Sequence, residues 1–195
     1  MGDFMSSIIN ADTSDGVKIT SDTSGELKLQ SAGTDIATVS STGIAMGSGK
    51  IISSNNLGFH AYLSSVQSIT TATWTKVQFD TERFDTSSCF DNVTNYRFTP
   101  TVAGYYHVGT AGRLYATSKY VSALTIYKNG AAAGGFQTNA NGTLPNYTAQ
   151  HIAGLVYMNG STDYLEVYGY IGGTTPSFQA GQNTTYFYGY LVQAD

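Results

Sequence analysis

Charge is what this chain has least of. Only 11% of its 195 residues are Asp, Glu, Lys or Arg, against roughly 25% in an ordinary soluble domain. The balance is mildly acidic, with 9 Lys and Arg against 13 Asp and Glu. Such a surface has no general attraction for phosphate backbones, so no nucleic acid partner is expected. Cys89 is the single cysteine, which excludes an intrachain disulfide and leaves packing and strand pairing to hold the fold. With no His or second Cys near it in sequence, Cys89 reads as buried filler rather than a reactive thiol. No stretch approaches the ~18 consecutive apolar residues of a membrane span, and no basic segment followed by an apolar run opens the chain. The expectation is a product made in the cytoplasm without a signal peptide and not inserted in a membrane. His60, His107 and His151 are widely separated, with no i, i+2 or i, i+4 pairing. No Ser/His/Asp or paired-Glu arrangement can be assembled either, so an enzyme is not expected, nor is a cofactor.

Glycine, serine, threonine, asparagine and tyrosine fill the space that charge leaves, and the aromatics are unevenly placed. Phe4 is the only aromatic residue before Phe59, which puts a domain boundary near residue 58. Residues 1–15 form a candidate docking segment. Residues 16–58 carry short alternating runs, among them Val17 and Ile19, Leu27 and Leu29, then Ile44 and Met46, separated by Gly, Ser, Thr and Asp. Each run has an apolar edge two side chains long, recurring about every ten residues, which reads as a loose repeat of tiny hairpins. One copy cannot bury enough surface to offset chain entropy of roughly 1–2 kcal/mol per residue. Several copies wound together can, and the alternative is a Ser/Thr-rich linker.

From Phe59 to Asp195 no helical period occurs. Strands are expected near 59–65, 74–79, 96–99, 103–115, 120–128, 131–138, 147–158, 163–171 and 184–192, which means an all-β sandwich or barrel. Asn129-Gly130 and Asn159-Gly160 are hairpin signals, because both residue types tolerate the positive φ of a type I′ turn. Strand alternation places both turns and the C-terminus at one end, and the connections near 116–119, 139–146 and 172–183 at the other.

Two segments carry a family resemblance. The run Phe98-x-Pro100-x-x-x-Gly104-x-Tyr106, with Phe98 and Tyr106 as expected buried anchors, resembles the central signature of C1q-like domains, jelly-roll heads related in fold to tumour necrosis factor. Phe187, Gly189 and Leu191 match the F-x-G-x-L strand with which that family closes, and Phe79, Asp85 and Phe90 sit at its upstream spacing. The resemblance implies a C1q/TNF-like jelly-roll sandwich over residues 59–195, assembled as a homotrimer. The run from Gly25 to Thr34 resembles the trimeric β-shaft of phage fibres, so the chain looks like a virion protein of a phage tail or capsid surface.

Side-chain alternation supports association independently. Tyr186, Tyr188 and Tyr190 lie opposite Phe187, Gly189 and Leu191, and Tyr164, Tyr168 and Tyr170 lie opposite Leu165, Val167 and Ile171. Strands apolar on both faces need a second cover, and these six tyrosines are the candidate subunit interface. Tyr115, Lys119, Asn139, Asn141, Asn146, Tyr147, Phe178 and Gln182, near the distal connections, are candidates for binding a host surface glycan or receptor. The alternative function is capsid decoration or a tail connector with no receptor role. Asp80, Glu82 and Asp85 form the one local carboxylate cluster of the head. They are candidate calcium ligands, against the plainer reading of a solvated sheet edge neutralised by Lys76 and Arg83.

Overall fold

A computed structural model describes residues 27–40, 43–46 and 57–195, and the chain divides into two compact units, Met1–Ser54 and Asn55–Asp195. The candidate docking segment 1–15, and residues 16–26, 41–42 and 47–56 of the expected shaft or linker, lie outside the described residues.

In the first unit, β1 (Leu27–Ser31), β2 (Thr34–Ser40) and β3 (Gly43–Met46) form an antiparallel three-stranded sheet. Ala32 and Gly33, at φ 48° and 74°, make the two-residue hairpin between β1 and β2. Ala37 is buried, whereas Leu29 and Ile44 stay largely exposed. A sheet this small buries its apolar side chains only in part, with Leu27, Ile36 and Val39 half-buried.

The second unit contains β4 (Gly58–Tyr62), β5 (Gln67–Ser68), β6 (Thr75–Lys76), β7 (Thr81–Asp85), β8 (Phe90–Asp91) and β9 (Arg97–Phe98). The long strands follow: β10 (Ala103–Lys128), β11 (Ala131–Asn141), β12 (Tyr147–Asn159), β13 (Leu165–Phe178) and β14 (Tyr186–Ala194). All pairings are antiparallel. The 26-residue β10 is shared by two sheets. Its first part, Ala103–Tyr115, lies between β12 and β14, with β4 and β7 continuing beyond β14. Its second part, Val121–Lys128, lies between β11 and β13. Short strands β5, β6 and β9 add to β13, and β8 pairs β9.

The two strands expected over 103–115 and 120–128 are therefore one. The chain turns a corner between them inside one continuous strand, with register breaks and Ser118 at φ 49° marking it. β13 also outruns its expected end, because Pro176 does not stop it. Ser177 and Phe178 pair with Tyr115 and Leu114 at the corner, so the 172–183 connection shrinks to residues 179–185. β7 carries no apolar alternation and is absent from the expected set. It is an edge strand held by its pairing to β4.

Between the sheets Phe59 is the hub, stacked on Phe90 at 4.9 Å and Phe98 at 4.6 Å and edge-on to Phe187 at 5.0 Å. Phe98 also meets Tyr106 edge-on at 5.3 Å, and the Tyr106 hydroxyl donates to the Val102 carbonyl at 2.9 Å. Both expected anchors are thus in the core, and burial pushes the Tyr106 hydroxyl pKa up to about 12. Cys89 joins this core, with its thiol pKa pushed up to about 12 by burial.

Asn129 and Gly130, at φ 53° and 80°, form the expected hairpin between β10 and β11. Asn159-Gly160 behaves differently. β12 and β13 pair with different parts of β10, so the turn carries the chain from one sheet to the other and is no hairpin. Asn159 Oδ1 instead accepts the amides of Ser161, Thr162 and Asp163, each at 3.0 Å. Asp163 ties this end together by accepting from Lys128 Nζ at 2.8 Å, Asn129 Nδ2 at 2.7 Å and the Asn159 amide at 3.0 Å. Lys128 and Asn129 hold its carboxyl below the ordinary range. Asp163→Ala is expected to cost about 2 kcal/mol by removing the acceptor of the Asn129 and Asn159 donors and one of the two acceptors of Lys128 Nζ. The wild-type advantage is fully present above the unfolded carboxylate pKa of roughly 4, and is lost as pH falls through the lower folded value. Urea denaturation of both proteins from pH 7 to pH 2 checks this; parallel curves would contradict it.

Candidate functional site

Strand register lays out the outer face of the β7-β4-β14-β10-β12 sheet row by row. Gly58, Tyr190, His107 and Leu155 form one row, and His60, Tyr188, Gly109 and Ala153 the next. Tyr62, Tyr186, Ala111 and His151 form the third. These rows contain no Asp, Glu, Lys or Arg. Their rings pack along the sheet: His60 stacks on Tyr186 at 5.3 Å and His107 on Tyr190 at 5.2 Å, and below them Tyr105 meets Tyr157 at 5.5 Å. Gly109 is needed for this arrangement, because a Cβ there would sit against the Tyr188 ring and hydroxyl. Burial raises the Tyr188 pKa and lowers that of His60, with Arg83 adding to the latter. The buried Nδ1 atoms of His60 and His107 have no hydrogen-bond partner among the described residues. At the margin, Leu155 (58%), Tyr105 (50%) and Tyr190 (48%) remain exposed. On the inward side of the same strand Phe187 meets Phe59 edge-on, and a Cβ at Gly189 would press on the Phe59 ring.

The other tyrosine row is covered within the chain. Tyr164 lies under the Arg97 guanidinium at 4.5 Å, Tyr168 stacks on Tyr127 at 4.3 Å, and Tyr170 meets Trp74 at 5.4 Å. Lys76 sits near the Tyr168 ring and bonds Glu166 at 2.5 Å. Alternation correctly placed these tyrosines on an outer face, but it did not foresee that β6 and its flanks would lie against them.

The distal candidates divide. Tyr115 and Tyr147 are directly opposite in register, with rings 4.8 Å apart, and Asn146 precedes them at the surface. Arg113, two residue pairs further along, holds its guanidinium 4.3 Å over the Tyr147 ring. Asn139 and Asn141 lie exposed on β11, and Gln182 is exposed in the 179–185 loop. Lys119 and Phe178 do not belong to the surface. Lys119 is 1% exposed and donates to the Leu114 carbonyl at 2.8 Å, the Asn146 carbonyl at 3.0 Å and Thr148 Oγ1 at 2.9 Å. Phe178 is fully buried because β13 continues into the core at the β10 corner.

A cavity of about 450 Å³ opens at this end of the aromatic sheet. It forms where β14 starts at Tyr186, opposite Ala111, leaving the outer face beyond that point bounded by β10, β12 and the 179–185 loop. Arg113, His151, Asn183, Thr184 and Tyr186 line it. Sequence reading missed these residues as a group because they come from three separate segments.

Two of the three carboxylates expected to hold calcium are engaged elsewhere. Asp80 accepts the Ser64 amide at 2.8 Å and hydroxyl at 2.7 Å, and Asp85 accepts the Phe90 amide at 2.8 Å. Glu82, on β7, has its pKa raised by burial and by Asp85. Among the described residues no group of three His, Cys, Asp or Glu side chains is arranged to hold a metal. Asp80 and Asp85 serve as loop anchors, at opposite ends of a short strand.

Two antiparallel sheets sharing a long bent strand around an aromatic core, with no helix among the described residues, are a jelly-roll sandwich of the tumour-necrosis-factor-like kind. Solved structures with this fold include murine APRIL, at 12% identity and a TM-score of 0.54, covering 69% of this chain and 98% of that one. A second is the Eiger TNF of S. frugiperda, at 8% identity and a TM-score of 0.57, covering 73% and 96%. No protein family matches the sequence, and no curated protein matches it.

Proposed function

We propose that the chain is a structural, non-enzymatic phage virion protein, a fibre or tail component in which three copies associate through the Tyr188 and Tyr190 rows of the β14 aromatic face, with the Tyr186 row left open at its margin. Its distal surface contacts a host glycan, and its N-terminal segment docks to other virion proteins. The observation that carries association is the uncharged aromatic face just described. An exposed patch of this kind is rare on a monomer, and burying it in an interface would remove Leu155, Tyr105 and Tyr190 from water. Two features support the glycan reading: the exposed Tyr147 and the asparagines beside it, since aromatic faces stack on sugar rings and amides bond hydroxyls.

Sedimentation equilibrium tests the assembly. The 20.7 kDa chain is expected to sediment at three times its mass. Tyr188→Glu, which would bury a charge at the centre of the face, is expected to weaken assembly at least a hundredfold. A wild-type monomer, or a variant that still assembles, would remove this reading.

A further inference from the structure

We propose that the cavity beside Arg113 binds the carboxylate of an acidic sugar. This names the ligand class of the glycan reading above and rests on it. The cavity is within the size range of small-molecule sites, and it is polarised. Arg113 is its one Lys or Arg, and no Asp or Glu lines it. That is a local inversion on a chain of net charge −4.

The cation is also uncommitted. Lys28, Lys76 and Lys128 each sit on a carboxylate, whereas Arg113 has no acidic partner among the described residues. Its guanidinium lies on the Tyr147 ring, which is itself braced against Tyr115. Stacking of this kind holds the guanidinium plane while leaving its N–H edge free to form a fork with a carboxylate.

The rest of the wall suits a sugar ring more than a bare phosphate. Tyr186 offers an aromatic side, and the Asn183 amide and Thr184 hydroxyl make no side-chain hydrogen bond among the described residues. Ala111, Gly112 and Ala149 keep the floor free of bulky side chains. One cation matches one negative charge, and the amide and hydroxyl match ring hydroxyls.

The test uses the full chain and a matched pair of probes, methyl β-glucuronide and methyl β-glucoside, which differ only at the carboxylate. N-acetylneuraminic acid and inorganic phosphate are run alongside, all by isothermal titration. The glucuronide or N-acetylneuraminic acid is expected to bind at least tenfold more tightly than the glucoside. Arg113→Gln is expected to abolish that preference, and Arg113→Lys to keep part of it, since the ammonium retains the charge without the fork. Arg113 is exposed, so both variants should fold, as a melt of each confirms; Asn183→Ala provides a second, independent loss of affinity. Equal binding of the glucoside, an unchanged Arg113→Gln variant, or binding of phosphate alone would overturn the proposal. A wider panel separates the two readings. Binding to neutral glycans only sinks the acidic-sugar site and leaves the glycan reading, while binding to no glycan sinks both.

Discussion

Replacing Gly104 by alanine is expected to destabilise the second unit by about 3 kcal/mol, through overpacking and backbone strain together. For a unit of this size that lowers its melting temperature by roughly 10 °C. Gly104 has φ 150° and pairs with Ala194 at the end of β14. A Cβ there would collide with the Gln193 carbonyl oxygen and crowd the Ala194 Cα. The neighbouring register shift between Tyr105 and Tyr106 puts an extra residue, Val192, into β14, and this brings the two backbones together. A double-mutant cycle separates the two causes. In a chain ending at Val192 the collision is gone, and the cost of Gly104→Ala should fall to about 1 kcal/mol, the backbone part alone. A cost unchanged by the truncation would show that strain, not contact, explains the glycine of the F-x-P-x-x-x-G-x-Y run.

Lys119→Met is expected to cost about 3 kcal/mol even though it removes a buried charge, because three charge-assisted bonds go, to the Leu114 carbonyl, to the Asn146 carbonyl that keeps only the Ala116 amide, and to the Thr148 hydroxyl that keeps only Ser122 Oγ. These three bonds pin the β10 corner to the start of β12. Burial lowers the Lys119 pKa to about 8, and the sign of the pH effect follows. Below pH 8 the amine is charged in both folded and unfolded chains, and the burial penalty applies in full. Above pH 8 the folded amine loses its proton first, so wild-type stability rises relative to Lys119→Met until the unfolded pKa of roughly 10.4. The measurement is the difference between the two proteins in denaturant midpoint from pH 7 to pH 10.5. Taking the difference cancels the tyrosines, which titrate in the same range. A flat difference would mean the ammonium stays protonated throughout, held by its three acceptors.

Alternation places the outer faces of both β14 and β13, but it does not say what lies against them. Alternation reports which side of a strand a residue occupies, and Tyr164, Tyr168 and Tyr170 do point outward. What lies on that side depends on chain that arrives from elsewhere, here Trp74, Lys76 and Arg97. The same limit explains Lys119 and Phe178. Both were placed in exposed connections because Gly, Pro and polar residues surround them. Each is buried because β10 turns a corner while remaining a strand and β13 follows it. The cavity beside Arg113 had even less local signal, since its walls come together only through β10-β12 pairing and the folding back of the 179–185 loop.

Several features of this protein could be read from neighbouring residues alone: the all-β class, the Asn129-Gly130 hairpin, the buried Phe98 and Tyr106, and the two-faced β14. Each depends on φ preferences or on a period of two, which act over a few positions. The union of two strands into β10, the crossing role of Asn159-Gly160, the separate anchoring of Asp80 and Asp85, and the burial of Lys119 were settled by pairing between distant segments. The free energy of those choices comes from burying Phe59, Phe187 and their neighbours together, and no local stretch of chain contains that term.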